Sequence, residues 1–99
     1  MKLNILYILS KTKLNKKGLC PIKCRITFNN KRKHFGTGLY AHPSNWNSKQ
    51  QLVEPPEPDE QYINTQLSLI RQKLNQAFLF LQIKGSPFTV LDIYTKYKG

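Results

Sequence analysis

The chain has 99 residues, 39% of them hydrophobic and 11% aromatic, with two cysteines and a formal net charge of +11 at pH 7. Its length suits one small domain, its patterned apolar runs exclude wholesale disorder, two cysteines are too few for a disulfide-built secreted scaffold, and no apolar run reaches the ~18 residues of a membrane span. The charge is lopsided: eleven bases and no acid precede Glu54, whereas five bases balance five acids from Glu54 onward.

Residues 3–9 are Leu, Ile and Tyr with one Asn. They read as a strand with apolar side chains on both faces, closed by Ser10. A signal peptide is a poor reading, because Asn4 breaks the run, lysines follow, and no small-residue cleavage site is present; a cytoplasmic location is expected. Residues 11–18 form a lysine-rich connection with Asn15 and Gly18 as turn formers. Residues 21–28 alternate strictly, with Ile22, Cys24, Ile26 and Phe28 on one side and Lys23, Arg25 and Thr27 on the other. In such a strand Cys20 and Cys24 lie on one side about 13 Å apart, beyond disulfide reach. Asn29-Asn30-Lys31 reads as a hairpin loop, since Asn tolerates positive φ. A two-residue loop, centred on Asn29-Asn30 or on Asn30-Lys31, sets Phe35 of the returning strand 32–40 against Cys24 and Ile26. It sets Arg32 and His34 beside Thr27 and Arg25. Gly36 and Gly38 share the Arg32/His34 side and leave the backbone bare there.

Pro43-Ser44-Asn45-Trp46-Asn47 ends the sheet in a tight turn that delivers Trp46 onto an apolar surface. Glu54-Pro55-Pro56-Glu57-Pro58 is a stiff spacer, neither helix nor inner strand. A helix is expected from about Asp59, as N-cap with Glu60 in the first turn, to Lys84, with Gly85 as the stop. Ile63, Leu67, Ile70, Leu74, Phe78 and Leu81 form its apolar stripe. Such a helix is about 37 Å long and outreaches strands of about 26 Å. Its last turns are apolar nearly all round, so Phe78, Phe80, Leu81 and Ile83 are expected to meet a following domain or further copies of the chain. Thr89 with Asp92 three residues on predicts a capping box for a short helix carrying Leu91, Ile93, Tyr94 and Tyr97. The sequence reads as running on into a second domain after Gly99.

The basic strand face is the main functional signal. Lys23, Arg25, Thr27, Arg32 and His34 lie on two neighbouring strands, where guanidinium and hydroxyl groups can read base edges in the major groove. Lys13, Lys16, Lys17 and Lys31 flank that face and suit phosphates. A merely solvated face does not explain 53 residues without a carboxylate. Two rivals stand beside double-stranded DNA as the partner: an adaptor whose basic face meets an acidic protein, and an RNA binder. The latter is weakened because Tyr40 is the nearest aromatic that could stack a base. Cys20, Cys24, His34 and His42 are spaced C-x3-C-x9-H-x7-H, wider than known zinc pairs, so no metal and no cofactor is expected. With no Gly-rich phosphate loop, Ser/His/Asp set or carboxylate pair, no catalytic residue is expected either.

In order and spacing these segments resemble the N-terminal arm-type DNA-binding domain of tyrosine recombinases, the phage- and conjugative-transposon-type integrases of Bacteroides-like bacteria. The resemblance rests on Pro21-Ile22-Lys23-Cys24-Arg25-Ile26-Thr27, the Asn29-Asn30-Lys31-Arg32 hairpin, Gly36-Thr37-Gly38-Leu39 and Pro43-x-x-Trp46. It covers residues 3 to about 85 and agrees with the α+β reading: a three-stranded antiparallel sheet packed on one long C-terminal helix. It implies an arm-type domain over residues 1–85 (sheet 3–40, corner 43–47, helix about 59–84), with a linker and the start of a core-binding domain over 86–99. Asn47 stands where the family often has Asp, and Asn can still accept a local backbone hydrogen bond. The family's catalytic Arg/His set and tyrosine nucleophile have no counterpart. The implied role is therefore non-catalytic: sequence-specific binding of arm-type DNA sites in integration and recombination, through Lys23, Arg25, Thr27, Arg32 and His34.

Overall fold

Three strands, β1 (Asn4–Leu9), β2 (Cys20–Phe28) and β3 (Lys31–Ala41), pair antiparallel in the order β1-β2-β3, so the most strictly alternating segment takes the centre. The computed structural model describes residues 2–99. Along β2, buried Cys20, Ile22, Cys24, Ile26 and Phe28 alternate with half-buried Pro21, Lys23, Arg25 and Thr27. Asn29 and Asn30 have φ of 52° and 63°, the paired left-handed geometry of a two-residue hairpin turn. That turn fixes the register Phe28 to Lys31, Thr27 to Arg32, Arg25 to His34 and Cys24 to Phe35.

The register then slips. Lys23 pairs with Gly36 but Ile22 with Leu39, so Thr37 and Gly38 form a bulge. Gly38 has φ 81°, a conformation open to glycine and strained for most other residues. The Thr37 hydroxyl donates to the Ile22 carbonyl at 2.7 Å and accepts the Leu39 N–H at 3.1 Å, so the bulge leaves these backbone groups satisfied. Beyond it Leu39 packs against the core and Tyr40 pairs with Pro21.

The inner face of the sheet is covered by α1 (Glu60–Lys84) and α2 (Val90–Lys98). The expected α1 stripe is the observed one: Ile63, Leu67 and Leu74 are buried, with Ile70, Phe78 and Leu81 packed against the core. The Tyr7 hydroxyl donates to the Leu67 carbonyl, and burial raises its pKa well above the ordinary tyrosine value. Asp59 occupies the N-cap position, but its side chain makes no capping bond; its carbonyl accepts the Ile63 N–H instead. Gly85, with φ 83°, ends the helix.

The corner holds more structure than the sequence suggests. A 3-10 turn (Pro43–Asn45) leads into a small hairpin of β4 (Trp46–Asn47) and β5 (Leu52–Val53). Asn47 Oδ1 accepts the N–H groups of Lys49 and Gln50, the local bond expected of it. Asn64 of α1 bonds both the N–H and the carbonyl of Val53 at 2.9 Å, and Gln51 accepts the Tyr7 N–H on the open edge of β1. Glu57 is buried and receives the His42 N–H at 3.0 Å, the His42 ring at 2.9 Å and the Asn45 amide at 3.1 Å. Burial works against its charged form, yet those hydrogen bonds outweigh it and hold the carboxyl below its ordinary pKa. A depressed folded-state pKa stabilises the fold above the ordinary carboxylate value, about 4.3, and that contribution disappears as pH falls through the folded value. Glu57→Gln should therefore be less stable than the parent at neutral pH, with the two denaturation midpoints converging on acidification. A gap that stays constant with pH would contradict the role given to Glu57.

Residues 88–98 pack on the same core. Thr89 and Asp92 form the expected capping box, Val90 and Ile93 are buried, and Phe35 meets Tyr94 and Tyr97 with ring centroids 5.0 and 5.4 Å apart. Phe88 stacks on Phe28 at 4.9 Å, and Phe78 meets both edge-on. Phe78 and Leu81 are thus engaged within the chain, whereas Phe80 and Ile83 are exposed. Among the described residues no helix is long and apolar enough to cross a membrane.

Candidate nucleic-acid interface

Strand pairing sorts the outer face of the sheet into rows, because directly opposed residues point the same way. From the hairpin inward these rows are Asn4, Thr27 and Arg32; then Leu6, Arg25 and His34; then Ile8, Lys23 and Gly36. Both helices lie on the other side. Lys23, Arg25, Thr27, Arg32 and His34 therefore share one face. A side chain built at Gly36 or Gly38 would meet nothing within 4 Å, so the backbone there is open to approach. Arg32 and His34 are exposed, while Lys23, Arg25 and Thr27 are half-buried among their neighbours.

The connection from β1 to β2 bears on this face. Asn15 Oδ1 accepts the N–H groups of Lys17 and Leu19 at 2.9 and 3.0 Å, and Gly18 adopts φ 76°. That turn orders the loop holding Lys13, Lys16 and Lys17, all exposed. The Lys13 ammonium lies against that of Lys23 and pushes the Lys23 pKa below its ordinary value. Lys13 and Lys23 are thus neighbouring cations, and among the described residues no carboxylate pairs with either. Lys31, expected to flank this face, instead stands opposite buried Phe28 at the hairpin end, so strand alternation turns it to the inner side with Lys33.

Arg25 holds the centre. Its Nε is buried and without a hydrogen-bond partner, although an unpaired buried donor is costly. Among the described residues the one contact between a carboxylate and a basic side chain is that of Glu57 with the His42 ring, at the corner, so no carboxylate neutralises the outer face. Lys33 points the other way, its ammonium 4.8 Å from the centroid of the Tyr94 ring. Cys20 and Cys24 are buried free thiols, and burial pushes the Cys24 thiol up to about 12.

Sequence reasoning passed over Leu6 and Ile8. They stand opposite Arg25 and Lys23 on the outer face and are not among the side chains packed on the core. The signal was the weak alternation of residues 3–9: an apolar second face on an edge strand needs a reason. Tyr40, 43% exposed, lies at the end of the sheet beside Pro21.

The family model described as an arm DNA-binding domain matches residues 7–94. No curated protein and no solved structure matches the chain.

Proposed function

The chain belongs to the arm DNA-binding domain family, the kind typical of tyrosine recombinase N-termini, and on that premise we propose that its outer sheet face reads double-stranded DNA through the major groove at arm-type sites of an integrase. The observation that carries this reading is the shared, carboxylate-free face of Lys23, Arg25, Thr27, Arg32 and His34. Three strands at about 4.8 Å spacing place the outer two about 10 Å apart, a width that a major groove of about 12 Å admits. Arg25 and Arg32 are the base readers, each offering a fork of donors to guanine O6 and N7. Lys13, Lys16, Lys17 and Lys23 bind phosphates and set the register, while Lys31, at the hairpin end but on the inner side, is left to phosphates beyond the groove edge. Bare backbone at Gly36 lets the sheet sit deep in the groove.

In this reading the domain does no strand exchange; it holds an integrase on accessory sites while a separate catalytic domain acts elsewhere. Each contact alone is weak, and tethering raises the effective concentration of the linked domain. Arg25→Ala and Arg32→Ala are each expected to cost ~1–3 kcal/mol of affinity for a duplex selected from a random pool, with relaxed preference at one position. Lys16→Ala is expected to weaken all duplexes about equally. Anisotropy titrations check this, and unchanged binding by Arg25→Ala would refute the face assignment. Duplex DNA should also outcompete duplex RNA and an acidic peptide; the reverse order would favour one of the two rival readings.

A further inference from the structure

We infer that Leu6 and Ile8 form a thymine-reading column beside the cationic one, so that the preferred duplex carries a thymine methyl within one or two base pairs of the guanine read by Arg25. This rests on the groove-binding reading above. β1 is an edge strand whose inner row, Ile5, Tyr7 and Leu9, packs on the core. That row already satisfies the apolar demand of the fold. Leu6 and Ile8 lie on the other face, half-buried, opposite Arg25 and Lys23. They are absent from the side chains packed on the core; with Trp46 and Ser48 they border a shallow groove at the edge of β1, and beside a cationic column they remain partly open to water.

The distances are suitable. Opposed side chains on neighbouring strands start about 4.5–5.5 Å apart, and successive base pairs are about 3.4 Å apart. If the Arg25 guanidinium meets a guanine, Leu6 hangs over the floor of the groove one or two steps away. The feature of that floor that an aliphatic group can recognise is the thymine 5-methyl. Ile8, one row further from the hairpin and opposite Lys23, extends the column away from the hairpin. The face thus carries two chemistries side by side: donors for guanine from β2 and β3, and methyl contacts from β1.

The test uses the 99-residue chain and the duplex it enriches from a random pool. Each thymine in that duplex is replaced in turn by deoxyuridine, which differs by the 5-methyl alone, and Kd is measured by fluorescence anisotropy. The expected result is a loss of about fourfold, the worth of one buried methyl, at one or more positions near the essential guanine. Leu6→Ala or Ile8→Ala should bind the thymine duplex more weakly and no longer distinguish it from its uracil counterpart. Circular dichroism melts of both variants check that they fold, and the base replacement itself needs no variant. Neutral replacement at every thymine overturns the inference, as does discrimination that survives in both variants. If uracil is neutral while Arg25→Ala still weakens binding, the thymine column alone fails. If Arg25→Ala and Lys23→Ala bind like the parent, or no sequence is enriched, the groove-binding reading fails with it.

Discussion

Raising salt from about 50 to about 200 mM is expected to weaken duplex binding by about three orders of magnitude. The two halves of the chain differ sharply in charge, with all of the +11 before Glu54, and folding concentrates part of that excess on one side of a sheet. Lys13, Lys16, Lys17, Lys23, Arg25 and Arg32 all lie on or around the outer face. If about six phosphates are neutralised, the released counterions give a slope of log affinity against log salt near −5. The expectation is strict because these cations lack internal partners: a basic face already paired with carboxylates would release fewer ions. Anisotropy titrations at four or five salt concentrations measure the slope. A value near zero would exclude a phosphate-led interaction.

Phe28→Ala should lower the free energy of unfolding by about 3–5 kcal/mol, a large share of the ~5–15 kcal/mol available to a small domain. Phe28 is the last residue of β2, 1% exposed, stacked on Phe88 and edge-on to Phe78. One ring thus ties the hairpin to the end of α1 and to the segment before α2. Truncation leaves a cavity that three separate elements would have to close, so little relaxation is expected. In a thermal melt the midpoint should fall by well over about 10 °C. Leu91→Ala, at an exposed position on α2, should stay within about 0.5 kcal/mol of the parent. A loss below about 1 kcal/mol for Phe28→Ala would show that the aromatic cluster does not hold the two ends together.

Most of the sheet was legible because its information is local. The period-two pattern of residues 20–28 names the buried side, and two consecutive asparagines name the turn; together they decide that Arg25 and Arg32 face the same way. The helix was legible for the same reason, since its stripe and its terminal Gly85 are short-range signals. What escaped depends on distant partners. The β4–β5 hairpin has two-residue strands and is held by Asn64 from α1, eleven positions away from Val53, so no local pattern announces it. The carboxylate Glu57 sits in what the sequence marks only as a stiff spacer, and it is buried because His42 and Asn45 lie opposite it. Asp59 sits at the expected cap without capping, with φ −107° and ψ 31° rather than the extended backbone that aims a cap side chain at the first turn. On the candidate face the cations were visible from charge and alternation. Leu6 and Ile8 were not, because apolar residues on both sides of a strand read equally well as a strand buried on both faces.

Equal charge reversal on the two sides of the molecule tests the orientation most directly. Lys23→Glu with Arg25→Glu, and Lys73→Glu with Lys84→Glu on the exposed side of α1, alter net charge by the same amount. The groove-reading sheet predicts that the first pair abolishes duplex binding, with a loss of at least about a hundredfold, while the second costs only a few-fold through the general field. Equal losses, or a greater loss from the helix pair, would contradict it.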